Sequence, residues 1–131
     1  MDEVGATLRG KRILICEDEG LIQLQWKKLL DYHGAAVVGF TPSGSECVEI
    51  AIRERPDIVL MDVGLKDSDG WESSRRILRL WENTCIVMIS AQSHEEALEN
   101  MANIPVKGFI QKPIAGDEFI RELVRCYAAS N

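Results

Sequence analysis

Positive charge, aromatic residues and long apolar runs are all scarce in this chain. Fifteen Lys and Arg stand against twenty-one Asp and Glu, a formal net charge of −6. No global positive field therefore favours nucleic acid or an anionic lipid surface. The apolar runs, such as Cys85 to Ile89, are five or six residues long. A bilayer span needs about twenty. The opening residues, Met1 to Gly5, are acidic and lack the basic-then-apolar layout of an export signal. The four cysteines, Cys16, Cys47, Cys85 and Cys126, are scattered, with no Cys-x-x-Cys pair and no Cys/His cluster. A zinc site is not expected from that spacing. Cys16 and Cys85 fall inside apolar runs and are expected as buried free thiols. Without an export signal, a cytoplasmic location without disulfides is expected.

What remains is ordinary globular material, 46% apolar and 27% charged over 131 residues. That excludes disorder and low complexity and fits one domain. Residues 1–10 are expected as a loose N-terminal tail and 11–129 as the domain. Within it, short apolar runs alternate with amphipathic stretches. Lys11 to Cys16 is strand-like. From Glu19 to His33, Ile22, Trp26, Leu29, Leu30 and His33 recur at helical spacing, and Gly34 ends the helix. Ala35 to Gly39 is a second strand. Ser43 and Glu46 fit a capping box for a helix that stops before Pro56. Asp57 to Met61 is a third strand, and Asp69 opens a helix with Ile77, Leu78 and Trp81 on its apolar side. Cys85 to Ile89 is a fourth strand. Ser93 and Glu96 form a second capping box, for a helix through Leu98 and Met101. Val106 to Ile110 is a fifth strand, and Asp117 to Ala129 the last helix. Five βα units of this kind predict an α/β fold, a single doubly wound five-stranded parallel sheet. The continuous apolar character of strands three and four agrees, since such strands are buried on both faces.

Open α/β sheets bind ligands beyond the carboxyl ends of their strands. The residues that end the apolar runs are Glu17 and Asp18, Asp62, Ser90 and Ala91, and Gln111 to Pro113. Any one of these could be a loop or capping residue. Together they put three carboxylates, a hydroxyl and one ammonium at one edge. Carboxylates so close repel by several kcal/mol per pair at an effective dielectric near ~20. Lys112 supplies one counter-charge. A hard divalent cation would supply the rest, and all-oxygen ligands suit Mg²⁺, whose open positions are often completed by a phosphate. Mg²⁺ beside a carboxylate and a lysine is equipment for phosphoryl transfer.

From Lys11 to Tyr127 the sequence resembles response-regulator receiver domains of two-component signalling. The residues that carry the likeness are Glu17-Asp18, Met61 to Leu65 around Asp62, Asp69-Gly70, Ser90-Ala91 and Lys112-Pro113. The resemblance implies that Asp62 is the phosphoacceptor. It implies that Asp18, Asp62 and the Gly64 backbone carbonyl bind Mg²⁺, with Glu17 helping through a water. Lys112, Ser90 and Ala91 would bind the phosphoryl group, and Ser90 with Phe109 would form the switch. It further implies a cis bond before Pro113. Lys66 stands where many of these domains have Pro, and Ser90 where Thr is commoner. Gly64 and Gln92 fall where the family tunes the lifetime of the acyl phosphate. The implied partners are a sensor histidine kinase or a histidine phosphotransfer protein, with recognition near Gln23 to Lys28, and an unidentified downstream protein. No nucleic acid or membrane is expected, and a phosphorylation-dependent homodimer is left open. The chain would not be an enzyme beyond catalysing its own phosphorylation and slow dephosphorylation. With no output domain expected after the last helix, it is either a stand-alone regulator or a module of a longer protein.

Other readings are weaker. One is a receiver-fold interaction module that works without phosphorylation. Another is a Mg²⁺-dependent phosphatase with an Asp nucleophile, which wants a second Asp where Gly64 stands. A flavodoxin-type cofactor binder would meet repulsion from Glu17, Asp18 and Glu19. Asp67 to Gly70 looks like the inside of a calcium loop, but its end positions would be Leu65 and Arg76. His94-Glu95-Glu96 begins like a zinc-protease helix, but Leu98 replaces the second His.

Overall fold

The computed structural model describes residues 6–65 and 67–130. Strands and helices alternate: β1 (Arg12–Cys16), α1 (Gly20–Tyr32), β2 (Ala36–Thr41), α2 (Gly44–Glu54), β3 (Ile58–Asp62), α3 (Gly70–Leu80), β4 (Cys85–Ser90), α4 (His94–Asn103), β5 (Gly108–Gln111) and α5 (Gly116–Ala129). The five strands form one sheet in the order β2-β1-β3-β4-β5, with every pairing parallel. This is the doubly wound arrangement expected, with the strand order reversing beside β1.

Alternation along the strands divides the core in two. Ile13, Ile15, Ile58, Leu60, Val87 and Ile89 pack with Trp26, Leu30, Phe119 and Leu123 of α1 and α5. Leu14, Cys16, Val59, Met61, Ile86 and Met88 face the other way, against α2, α3 and α4. Because successive strand side chains point to opposite faces, a sheet buried on both sides must be apolar throughout. Every residue of β3 and β4 is buried. Among the described residues no helix is long and apolar enough to cross a membrane.

Helix starts follow the sequence signals. Ser93 and Glu96 complete a reciprocal capping box on α4. At α2 only half of the expected box forms: Ser43 accepts from the Glu46 N–H at 3.2 Å, but its own N–H bonds the Thr41 hydroxyl at 3.1 Å, and further reinforcement comes from Asp67 of the β3–α3 loop. Gly108 lets β5 and α5 come close, since a Cβ there would lie 2.1 Å from the Cys126 sulfur.

Two expectations are corrected. Residues 6–10 are not loose: Leu8 is fully buried in the α1/α5 core. Gly10 N–H bonds the Gly34 carbonyl at 2.8 Å and Lys11 N–H bonds the Leu8 carbonyl at 3.0 Å. A single leucine with no periodic neighbours gave no sign of this. Cys16 is not a free thiol. It forms a disulfide with Cys47, 31 residues away, with Cα atoms 6.2 Å apart. Cys16 ends β1 on the face that α2 covers, and Cys47 points inward from α2, so both sulfurs enter one core. Cys85 and Cys126 are free and buried. The helix expected through Leu98 and Met101 is α4, which buries Ala97 and leaves Leu98 53% exposed.

Candidate functional site

The carboxyl ends of β1, β3, β4 and β5 meet at one edge of the sheet. Parallel register puts Cys16 beside Met61, Asp62 beside Ile89, and Ser90 beside Gln111. The residues that end each run therefore share a small volume. Glu17, Asp18 and Asp62 each offer a carboxylate oxygen, all within 4.8 Å of one another. Glu17 is fully buried, Asp62 is buried and Asp18 is partly exposed. Lys112, from the end of β5, places Nζ 2.8 Å from Glu17 Oε1 and 3.5 Å from Asp62 Oδ2.

Neighbouring groups fix this arrangement. The Glu19 N–H donates to Glu17 Oε2 at 3.1 Å, and the Gln23 side-chain amide donates to the Glu17 carbonyl. The Gly64 N–H donates to Asp62 Oδ1 at 3.3 Å. Gly70 allows the β3–α3 loop to return against β3, because a Cβ there would meet the Asp62 carbonyl oxygen at 2.1 Å. Its N–H donates to the Val63 carbonyl at 2.8 Å. Asp69 then caps α3, accepting from the Trp71 N–H at 2.9 Å.

Charge is out of balance at this edge. Two carboxylates 4.8 Å apart or closer repel by about 3 kcal/mol or more at an effective dielectric of about 20. Three carboxylates face one ammonium. Burial pushes the Glu17 carboxyl up to about 7; Lys112 and the Glu19 N–H oppose that rise and the Asp62 carboxylate adds to it. Burial pulls the Lys112 ammonium down, but its bond to Glu17 and the charge of Asp62 outweigh that and hold it above the ordinary lysine value. A cluster of oxygen donors with surplus negative charge is a fit for a hard divalent cation.

Ser90 is buried at the end of β4. Its Oγ accepts from the Gln92 N–H at 3.0 Å, which leaves the hydroxyl hydrogen available to an incoming acceptor. The Lys112 N–H bonds the Ser90 carbonyl at 2.7 Å, tying the β4 and β5 ends together. Ala91 is exposed beside it. Gly64 is exposed in the loop after Asp62, bridged to Asp69. Phe109 is buried rather than at the edge; it stacks on Trp71 at 6.4 Å and meets the His94 ring edge-on at 5.6 Å. The Lys112–Pro113 bond is cis. Lys66 lies outside the described residues.

Two contributors escaped sequence reading. Asp67, discounted as part of a false calcium loop, binds the N-terminus of α2: Ser43 Oγ, the Gly44 N–H and Ser45 Oγ donate to it at 2.6, 2.8 and 2.9 Å. The Ser-Gly-Ser at the start of that helix, read with an acidic loop, was the available signal. Trp26 belongs to the helical-spacing stripe of α1, and its ring also lies 5.8 Å from Lys112 Nζ.

Comparison with known proteins agrees with this geometry. Residues 13–124 match the response regulator receiver domain. The transcriptional regulatory protein PdtaR of Mycobacterium tuberculosis is 31% identical over 110 residues, 84% of this chain and 53% of that protein. The chain thus spans about half the length of PdtaR. Chemotaxis protein CheY of Thermotoga maritima is 28% identical over 87% of this chain and 95% of its own. A CheY-like receiver domain protein from Methanospirillum hungatei shares the fold at a TM-score of 0.84, with 21% identity, covering 92% of this chain and 96% of that one. With the carboxylate cluster, the lysine and the sheet order all in agreement, the chain belongs to the response regulator receiver domain family.

Proposed function

We propose that this receiver domain is a phosphorylation-activated switch in which Asp62 accepts a phosphoryl group from a histidine kinase or a histidine phosphotransfer protein. The observation that carries the reading is Lys112 Nζ lying between Glu17 and Asp62, 2.8 and 3.5 Å away, beside three clustered carboxylates. Asp18, Asp62 and the Gly64 carbonyl would hold Mg²⁺ directly, and Glu17 through a water. When bound, Mg²⁺ neutralises charge on the phosphoryl oxygens. An Asp62 carboxylate oxygen attacks phosphorus in line, the donor imidazole nitrogen leaves, and an acyl phosphate forms. Lys112 stabilises the negative oxygens throughout, and the Ser90 hydroxyl and Ala91 N–H donate to them.

Once Asp62 is modified, Ser90 turns toward the new oxygens and gives up its place beside Gln92. The β4–α4 loop follows, Phe109 repacks, and the α4–β5–α5 face changes its affinity for a downstream protein. Family members act mainly as signalling modules. This one would catalyse only its own phosphorylation and slow hydrolysis, in the cytoplasm, with kinase recognition near Gln23 to Lys28. The test is intact mass after incubation with acetyl phosphate. Wild type should gain one phosphoryl group only with Mg²⁺, and Asp62→Asn none. Equal gain by Asp62→Asn would overturn the assignment.

A further inference from the structure

We propose that Trp26 is a positioning residue for Lys112, its indole face holding the ammonium within reach of Glu17 and Asp62. This rests on the role given to Lys112 above. Lys112 Nζ lies 5.8 Å from the centre of the Trp26 ring, within the roughly 6 Å over which a cation is drawn to an aromatic face. Trp26 is 8% exposed on α1. It is itself held in place: its ring stacks on Phe119 of α5 at 5.4 Å with planes 13° apart. The wall behind the lysine is therefore shared by two helices.

The lysine needs such a wall. Its four-carbon stem is flexible and carries much rotamer entropy. Beside it runs a cleft of about 200 Å³ lined by Ile22, Gln25, Trp26, Lys112, Pro113 and Ile114. This open space leaves the stem room for other rotamers. The attraction of the indole face adds a third partner to the two carboxylates and narrows the positions open to Nζ. An aliphatic side chain at 26 would fill the core but lack the negative ring face. Phenylalanine would keep a weaker one.

Lys112 methylene NMR shifts and phosphoryl uptake from acetyl phosphate with Mg²⁺ provide the test together. In wild type the ring current of Trp26 should move the Lys112 ε-methylene protons upfield, with the signal assigned through Lys112→Arg. Trp26→Leu should abolish that shift and slow uptake about two- to fivefold, and Trp26→Phe should restore most of both. If Trp26→Leu does not fold, fluorinated tryptophan in the intact chain drains the ring face while keeping its shape. Uptake should then slow as fluorine is added, and fluorination should have no effect in Trp26→Phe. An unshifted lysine in wild type would overturn the proposal. So would uptake at the wild-type rate in Trp26→Leu or in the fluorinated chain. Absence of uptake by wild type would overturn the phosphoacceptor reading instead, because the ring-current shift is read without any phosphoryl donor.

Discussion

Asp67 and Glu17 both lie just beyond the ends of strands, yet their surroundings are opposite. Asp67 is exposed and accepts from Ser43, Gly44, Ser45 and Ser68. Hydrogen bonds from Ser43, Gly44 and Ser45 hold its carboxyl well below the usual carboxylate range. Glu17 is fully buried, accepts from Lys112 and Glu19, and faces another carboxylate. Its carboxyl is pushed up to about 7, by burial first. The lesson is in the balance of donors against charge. Asp67 has its lone pairs met, and its role is to tie the β3–α3 loop to α2. The strand-end cluster keeps an excess of negative charge, which suits a hard cation.

Removing Lys112 should break this comparison most sharply. Lys112→Ala leaves two buried carboxylates without their ammonium, and should cost about 3 kcal/mol of stability at pH 8. The loss should shrink at pH 5, where Glu17 takes a proton. Urea unfolding at the two pH values reads both effects.

The next effect is a pH slope in metal-free buffer. The folded value of about 7 for Glu17 lies above the ordinary 4.5, so the folded state holds that proton more tightly than the unfolded chain. Its contribution is whole below about 4.5 and is lost as pH rises through about 7. Stability should fall by about 2 kcal/mol between pH 5 and pH 8. Excess Mg²⁺ should flatten the slope, because a cation replaces the proton. A slope unaltered by Mg²⁺ would mean that the cluster does not bind the ion.

Asp67→Asn should have the smallest effect. Its carboxyl stays ionised well below pH 5, and what it contributes is lost only as pH falls through that depressed value. The loss of thermal midpoint should be slight and equal at pH 5 and pH 8, and phosphoryl uptake should be retained. A pH-dependent loss would show that Asp67 is coupled to the cluster.

How much of this was legible depended on where each signal lay. Glu17, Asp62 and Lys112 could be read because each stops an apolar run, and parallel strands bring such stops to one edge. The parallel, doubly wound sheet followed from the βα alternation in the same way. The capping role of Asp69 was adjacent in sequence to the helix it opens. The link from Asp67 to Ser43 crosses 24 residues, and the Cys16–Cys47 disulfide crosses 31. Neither leaves a periodic trace. Trp26 fits the buried stripe of α1, and nothing in that pattern shows that the ring also borders Lys112. The burial of Phe109 between Trp71 and His94 likewise depends on α3 and α4 packing over β5.

The central claim is that one carboxylate of the cluster, Asp62, carries the phosphoryl group. Borohydride reduces an acyl phosphate to an alcohol, so it marks the acceptor permanently. After treatment with acetyl phosphate and Mg²⁺, reduction and peptide mapping should find homoserine at position 62 and nowhere else. Reduction at position 18 or 17 instead, or a phosphorylated protein with no reducible site, would contradict the account.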